Sequence, residues 1–140
     1  MNEKAFIIAE IGSNHNGDMD LCREMIDAAK RAGADAVKFQ SFSDKSLISE
    51  AEYARRTDYG DTEADKKKHF GTLKEMVDAY WLRPEQHHEM AKYCESIGIE
   101  FMSTPFSNAE VDLLDECGVK RFKVASMDVN NLELLLSLIH

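Results

Sequence analysis

Two lysines interrupt short apolar runs, Lys38 in Ala36-Val-Lys-Phe-Gln40 and Lys123 in Phe122-Lys-Val-Ala-Ser126. An ammonium group buried without a partner is costly, so these lysines are poor core filler. They point to a shared cleft that holds an anion, a phosphate or a carboxylate. A Schiff-base lysine is the other chemistry this placement permits. Glu10 ends the run Phe6-Ile-Ile-Ala-Glu10 and poses the same problem with opposite sign. It either pairs with one of the lysines or serves in proton transfer or substrate orientation. Gln40, Thr104, Ser126 and Asp128 stand at or just past the ends of similar runs. Lys38 and Gln40 differ by two and share a strand face, whereas Lys123 and Ser126 differ by three. If both of the latter serve one ligand, Ser126 belongs to the turn after the strand. Ser103 and Thr104, before Pro105, offer hydroxyls at a strand end, either to a ligand or to their own backbone.

These residues act together only if their strands lie side by side, and the spacing of elements predicts that they do. Lys4–Glu10 reads as a strand closed by the turn cluster Gly12-Ser-Asn-His-Asn-Gly17. From Asp18 to Ala32 the residues Leu21, Met25, Ala28, Ala29 and Ala32 recur with helical period, Gly33 stops the helix, and Ala36–Gln40 follows as a strand. The same cadence recurs from Pro84 through Met90, Cys94 and Ile97 to Gly98 and the strand Phe101–Thr104. It recurs again from Ser107, in capping-box spacing with Glu110, through Val111, Leu114 and Cys117 to Gly118 and the strand Phe122–Ser126. A further helix begins near Asn130 or Asn131. Helix alternating with apolar strand predicts an α/β fold with a parallel sheet covered by helices, and the polar residues named above collect at its carboxyl edge. Four such units are half of a (β/α)8 barrel, which takes about 250 residues. Between about residues 43 and 82 the cadence breaks. That segment holds a charge-dense stretch, Glu50 to Lys68, and a helix around Thr72–Trp81, and reads as a lid or binding loop or as a solvated insertion.

Composition narrows the partners. A net charge of -9 has the wrong sign for gripping nucleic acid or an anionic membrane, while leaving a small phosphorylated substrate open. No stretch approaches the ~20 apolar residues of a membrane span. Cys22, Cys94 and Cys117 have no metal-like spacing and read as reduced thiols, which makes the cytoplasm the expected compartment. The loop Gly12–Gly17 fits neither a dinucleotide fingerprint nor a phosphate-binding P-loop. His15 within it could ligate a metal, orient Glu10 or cap the helix, and the pair His87-His88 reads as surface.

Four segments in order, Ile8-Ala-Glu-Ile-Gly-Ser-Asn-His-Asn-Gly17, Ala32-Gly-Ala-Asp-Ala-Val-Lys-Phe-Gln40, Phe101-Met-Ser-Thr-Pro-Phe106 and Phe122-Lys-Val-Ala-Ser126, resemble the N-terminal half of the N-acetylneuraminate (sialic acid) synthase family, which includes legionaminate and pseudaminate synthases. The resemblance implies a (β/α)8 TIM-type barrel, of which residues 1–140 supply the first four βα units. The second half and a C-terminal antifreeze-like domain lie outside this sequence. It further implies condensation of phosphoenolpyruvate with an N-acylated amino sugar, assisted by Mn2+ or Mg2+ held by residues outside this chain. By the same resemblance Lys38, Thr104, Lys123 and Ser126 match phosphoenolpyruvate-binding positions, with Gln40 and Asn14 counted among the substrate-binding residues. Glu10 matches a carboxylate near the reacting atoms. Asp128 stands where the family commonly has Glu, on a shorter arm. Two alternatives stay open. One is another phosphoenolpyruvate-dependent aldol synthase, such as the 3-deoxy-octulosonate type; the other is a non-catalytic half-barrel assembly module. Uncovered sheet edges lead us to expect a homo-oligomer.

Overall fold

The computed structural model describes residues 4–49, 51 and 72–139. In chain order the elements are β1 (Ile8–Gly12), α1 (Met19–Arg31), β2 (Ala36–Ser41), α2 (Leu73–Tyr80), α3 (Pro84–Ile97), β3 (Glu100–Pro105), α4 (Asn108–Glu116), a 3-10 turn (Ser126–Asp128) and α5 (Leu132–Ile139). The strands form one parallel sheet in the order β1-β2-β3.

Local chemistry sets the helix starts. The Asp18 carboxylate accepts from the Asp20 and Leu21 amides at 2.9 and 3.1 Å. Thr72 and Glu75 close a reciprocal capping box on α2. Pro84 takes the first position of α3, where its missing N–H costs nothing. The capping-box spacing at Ser107 is used differently: its hydroxyl donates to the Glu110 carboxylate and makes no cap bond to the backbone.

One face of the sheet carries Ile11, Val37, Phe39 and Phe101, which pack with Cys22, Ile26, Met90, Cys94 and Leu114 from the helices. Complete burial of a side chain such as Ile26 contributes roughly 1.5–3 kcal/mol. The stripe expected on α1 is corrected by this packing. Cys22 and Ile26 are the buried pair, while Leu21 and Met25 are half-buried and Ala28 and Ala32 exposed.

Two further expectations are revised. The first strand starts at Ile8 rather than Lys4 and runs on through an irregular register between Glu10 and Gly12. The expected fourth strand, Phe122–Ser126, is reduced to a single parallel bridge between Ser103 and Phe122 and one bond from the Lys123 amide to the Ser103 carbonyl, 3.1 Å. Beyond it the Val124 carbonyl takes a hydrogen bond from the Lys123 ammonium at 2.6 Å. Of the long connection after β2, α2 is described; the stretch expected to be charge-dense, Glu50 to Lys68, lies outside the described residues except for Ala51.

Candidate functional site

Parallel register places Glu10 beside Lys38, Lys38 beside Met102, and Gln40 beside Thr104. Residues paired in register share a face, so these side chains occupy the face opposite the helix-covered core, toward the carboxyl edge. There the Lys38 ammonium lies 2.5 Å from Glu10 Oε2 and donates to Thr104 Oγ1 at 3.4 Å. The Lys38 side chain is 14% exposed and that of Glu10 49%. The lysine has therefore lost most of its hydration and takes compensation from the carboxylate, whereas Glu10 keeps contact with water. An ion pair this open adds at most about 1 kcal/mol to stability. Its consequence is orientation: one cation, one carboxylate and one hydroxyl are gathered at the mouth of the sheet.

Neighbouring residues complete the surroundings. Gln40 Oε1 accepts from Ser13 Oγ at 3.3 Å, tying the loop after β1 to β2. A side chain at Gly12 would come within 3.2 Å of Glu10 Oε1, so the glycine leaves room for that carboxylate. The Asn14 amide turns back to donate to the Ile11 carbonyl at 2.8 Å and closes the loop. Lys123 follows the bridged Phe122 and is exposed. Its ammonium bonds the Val124 carbonyl, and among the described residues it shares no hydrogen bond or ion pair with Lys38, Thr104 or Ser126. Ser126 opens the 3-10 turn. Asp128 Oδ1 accepts from Asn131 Nδ2 at 3.1 Å, while Oδ2 is buried with no hydrogen-bond partner among the described residues.

Both buried histidines lie behind the sheet. His15 Nδ1 accepts the Gly17 amide at 3.0 Å, which puts the ring proton on Nε2, and the ring packs 6.0 Å from Phe39. Burial, and then the nearby His87, hold its pKa below the ordinary value, so it acts as a neutral anchor of the loop. His87, read from the sequence as surface, is 1% exposed. The Arg83 carbonyl can only accept, so His87 Nδ1–H donates to it at 3.0 Å, and Nε2 accepts from Ser41 Oγ at 2.8 Å. Ser103 Oγ in turn lies 2.6 Å from Ser41 Oγ. Burial lowers the His87 pKa, against the opposing pull of the Arg83 carbonyl and Glu110. A trace of this group is present in the sequence: Ser41 and Ser103 have the parity of Phe39 and Phe101, so each places a hydroxyl on an otherwise apolar face that needs a polar partner.

A cavity of about 690 Å³ opens in the groove between α3 and α4, where Lys92, Glu95, Glu116 and Cys117 line it. It shares no residue with the Glu10–Lys38–Thr104 cluster. The chemistry-bearing groups instead lie on the open sheet face, where Ile8 is 42% exposed.

Residues 25–140 match the sequence profile of the NeuB family. The chain is 42% identical over 130 residues to an N,N'-diacetyllegionaminic acid synthase of Legionella pneumophila, covering 93% of this chain and 35% of that protein. It is 37% identical over 136 residues to the human N-acetylneuraminate-9-phosphate synthase, again covering 93% of this chain and 34% of that protein. The fold superposes with a TM-score of 0.73 on the crystal structure of an N-acetylneuraminic acid (sialic acid) synthetase from Leptospira borgpetersenii, at 30% identity, over 97% of this chain and 41% of that one. The chain thus spans about a third of the length of these curated relatives.

Proposed function

The chain belongs to the NeuB family, and from that membership together with the Glu10–Lys38–Thr104 cluster we propose that the full-length protein condenses phosphoenolpyruvate with an N-acylated amino sugar to give a nonulosonic, sialic-type acid and phosphate. In this reaction C3 of phosphoenolpyruvate attacks the open-chain sugar's aldehyde carbon. Water adds to the cation formed at C2, and phosphate leaves by cleavage of the C–O bond. The observation that carries the reading is a desolvated lysine held on the open face of a parallel sheet beside a carboxylate and a hydroxyl, in a chain whose relatives are named synthases of such acids.

Each residue has a part in the proposal. Lys38 and Lys123 supply the positive charge that the phosphate and carboxylate of phosphoenolpyruvate require, and Thr104 and Ser126 add hydroxyl donors. Glu10 competes for Lys38 until the anionic substrate shares it, and then stands beside the reacting atoms. Asp128, with one carboxylate oxygen unbonded, is the second acidic group, and Gln40 and Asn14 border the sugar. Among the described residues no three His, Cys, Asp or Glu side chains converge as metal ligands. The Mn2+ or Mg2+ of the whole enzyme is proposed to be held by ligands outside this chain, and no step given to these residues passes through it. We extend the proposal to a (β/α)8 barrel in which this chain supplies the first strand–helix units, with a C-terminal antifreeze-like domain beyond it. The whole protein is proposed to form a homo-oligomer in the cytoplasm.

Replacement of the lysines tests this reading. A lost charge-assisted hydrogen bond costs about 1.5–3 kcal/mol, or roughly ten- to hundredfold in apparent affinity. In the full-length protein Lys38→Ala and Lys123→Ala are each expected to raise the KM for phosphoenolpyruvate by that factor while moving the KM for the sugar far less. Unchanged phosphoenolpyruvate kinetics in both variants would overturn the assignment.

A further inference from the structure

Directly behind the candidate site runs a polar relay that nothing in the proposed chemistry uses: Ser103 Oγ to Ser41 Oγ to His87 Nε2, with His87 Nδ1–H on the Arg83 carbonyl. All three side chains are 0–1% exposed, so the relay itself cannot touch substrate. Its position is the point of interest. Ser41 follows Gln40 on β2 and Ser103 precedes Thr104 on β3, so the relay grips both strands at the level of the Gln40–Thr104 register pair, with Lys38 two residues below. Because Nδ1–H is committed to Arg83, the neutral ring offers Nε2 as acceptor, and this orders the hydroxyls in one direction, Ser103 to Ser41 to His87. The first turn of α3 is thereby bonded to the ends of both strands.

We propose that His87 is a positioning residue, which through Ser41 and Ser103 fixes the spacing of β2 and β3 that brings Thr104 Oγ1 to the Lys38 ammonium. The kinetic consequence rests on the functional reading above; the geometric one does not. Misplacing a binding group by about an ångström can cost up to about a hundredfold in rate, so a modest loosening here is expected to appear in substrate affinity.

Two near-isosteric variants of the full-length protein separate this role from simple core filling. The amide of His87→Gln reaches the place of Nε2 and keeps an acceptor for Ser41, whereas that of His87→Asn reaches only the place of Nδ1 and loses it. His87→Asn is expected to raise the KM for phosphoenolpyruvate about tenfold with kcat within about threefold of wild type, and His87→Gln to recover most of the loss. In their crystal structures the Lys38–Thr104 contact is expected to open in the Asn variant and persist in the Gln variant. Should His87→Asn not fold, Ser41→Ala, which removes the donor of the same hydrogen bond, is expected to reproduce its kinetics and geometry. Equal KM values in the Asn and Gln variants, or an intact Lys38–Thr104 contact in His87→Asn or Ser41→Ala, would overturn the proposal. A wild-type protein that does not consume phosphoenolpyruvate defeats the functional reading instead, and the crystallographic comparison still decides the role of His87.

Discussion

Lys38, largely stripped of water, takes its compensation from the half-exposed Glu10, and this coupling predicts how both respond to change. Glu10→Gln keeps the shape and removes the charge that competes with an anionic ligand for Lys38. Turnover is expected to fall by about a hundredfold or more, the usual range for a lost acid–base group, while the KM for phosphoenolpyruvate stays level or drops. Steady-state kinetics of the full-length variant check this, and a raised KM with unchanged kcat contradicts it. The buried histidines act on stability. His15 and His87 have pKa values below the ordinary 6.5, chiefly through burial, so between 6.5 and those lower values the unfolded chain binds protons that the native one does not. Stability is accordingly expected to be full above pH 6.5 and to fall as the pH drops below it. Melting temperatures across this range should show that slope in the wild type and a shallower one in His87→Gln. The cluster was legible in the sequence because a charge inside an apolar strand demands a partner. His87 was not, since it lies in the polar string Gln86-His87-His88-Glu89, and its burial is compensated by the distant Ser41 together with the Arg83 carbonyl.

Helix and strand placement followed from caps, glycine stops and apolar period wherever the element's own residues decide the matter. Gly33, Gly98 and Gly118 end their helices at φ of 84°, 71° and 73°, as the cadence predicts. Where a partner decides, local composition is not enough: Phe122–Ser126 has the residues of a strand, but a bridge to Ser103 on one side does not make a ladder. On α1 the small alanines blur the phase of the stripe and hide the wholly buried Ile26. Ile26→Ala is expected to destabilise the full-length protein by roughly 2–5 kcal/mol, read as a shift in the denaturation midpoint. The loop before α1 gives a sharper test of element packing. Gly17 sits at φ 76°, and a Cβ there would lie 2.4 Å from the Ala79 carbonyl at the end of α2. Gly33 has a similar φ, but a Cβ there would meet no atom within 4 Å. Gly33→Ala is expected to cost about 1 kcal/mol and Gly17→Ala distinctly more, because backbone strain is joined by a clash between the loop and α2. Equal midpoints for the two variants would mean that α2 does not rest on this loop.

At the scale of the whole molecule, Phe6, Ile7 and Ile8 leading into β1 and Leu132, Leu136 and Ile139 on α5 are 42–77% exposed, more apolar surface than scattered residues account for. Residues 1–140 expressed alone are expected to self-associate through these surfaces, and light scattering that finds a monomer at rising concentration contradicts this. In the full-length protein the open sheet face becomes, on our reading, one wall of a cleft in which Lys38 and Lys123 serve the same anion. The central claim is the reaction itself, and the fate of one oxygen tests it most directly. Full-length protein is supplied with Mn2+, N-acylated amino sugars in turn, and phosphoenolpyruvate carrying 18O in the oxygen that bridges C2 and phosphorus. Our account predicts sugar-dependent release of phosphate that retains the label. Label left in the keto acid, or no phosphate released with any N-acylated amino sugar, would contradict it.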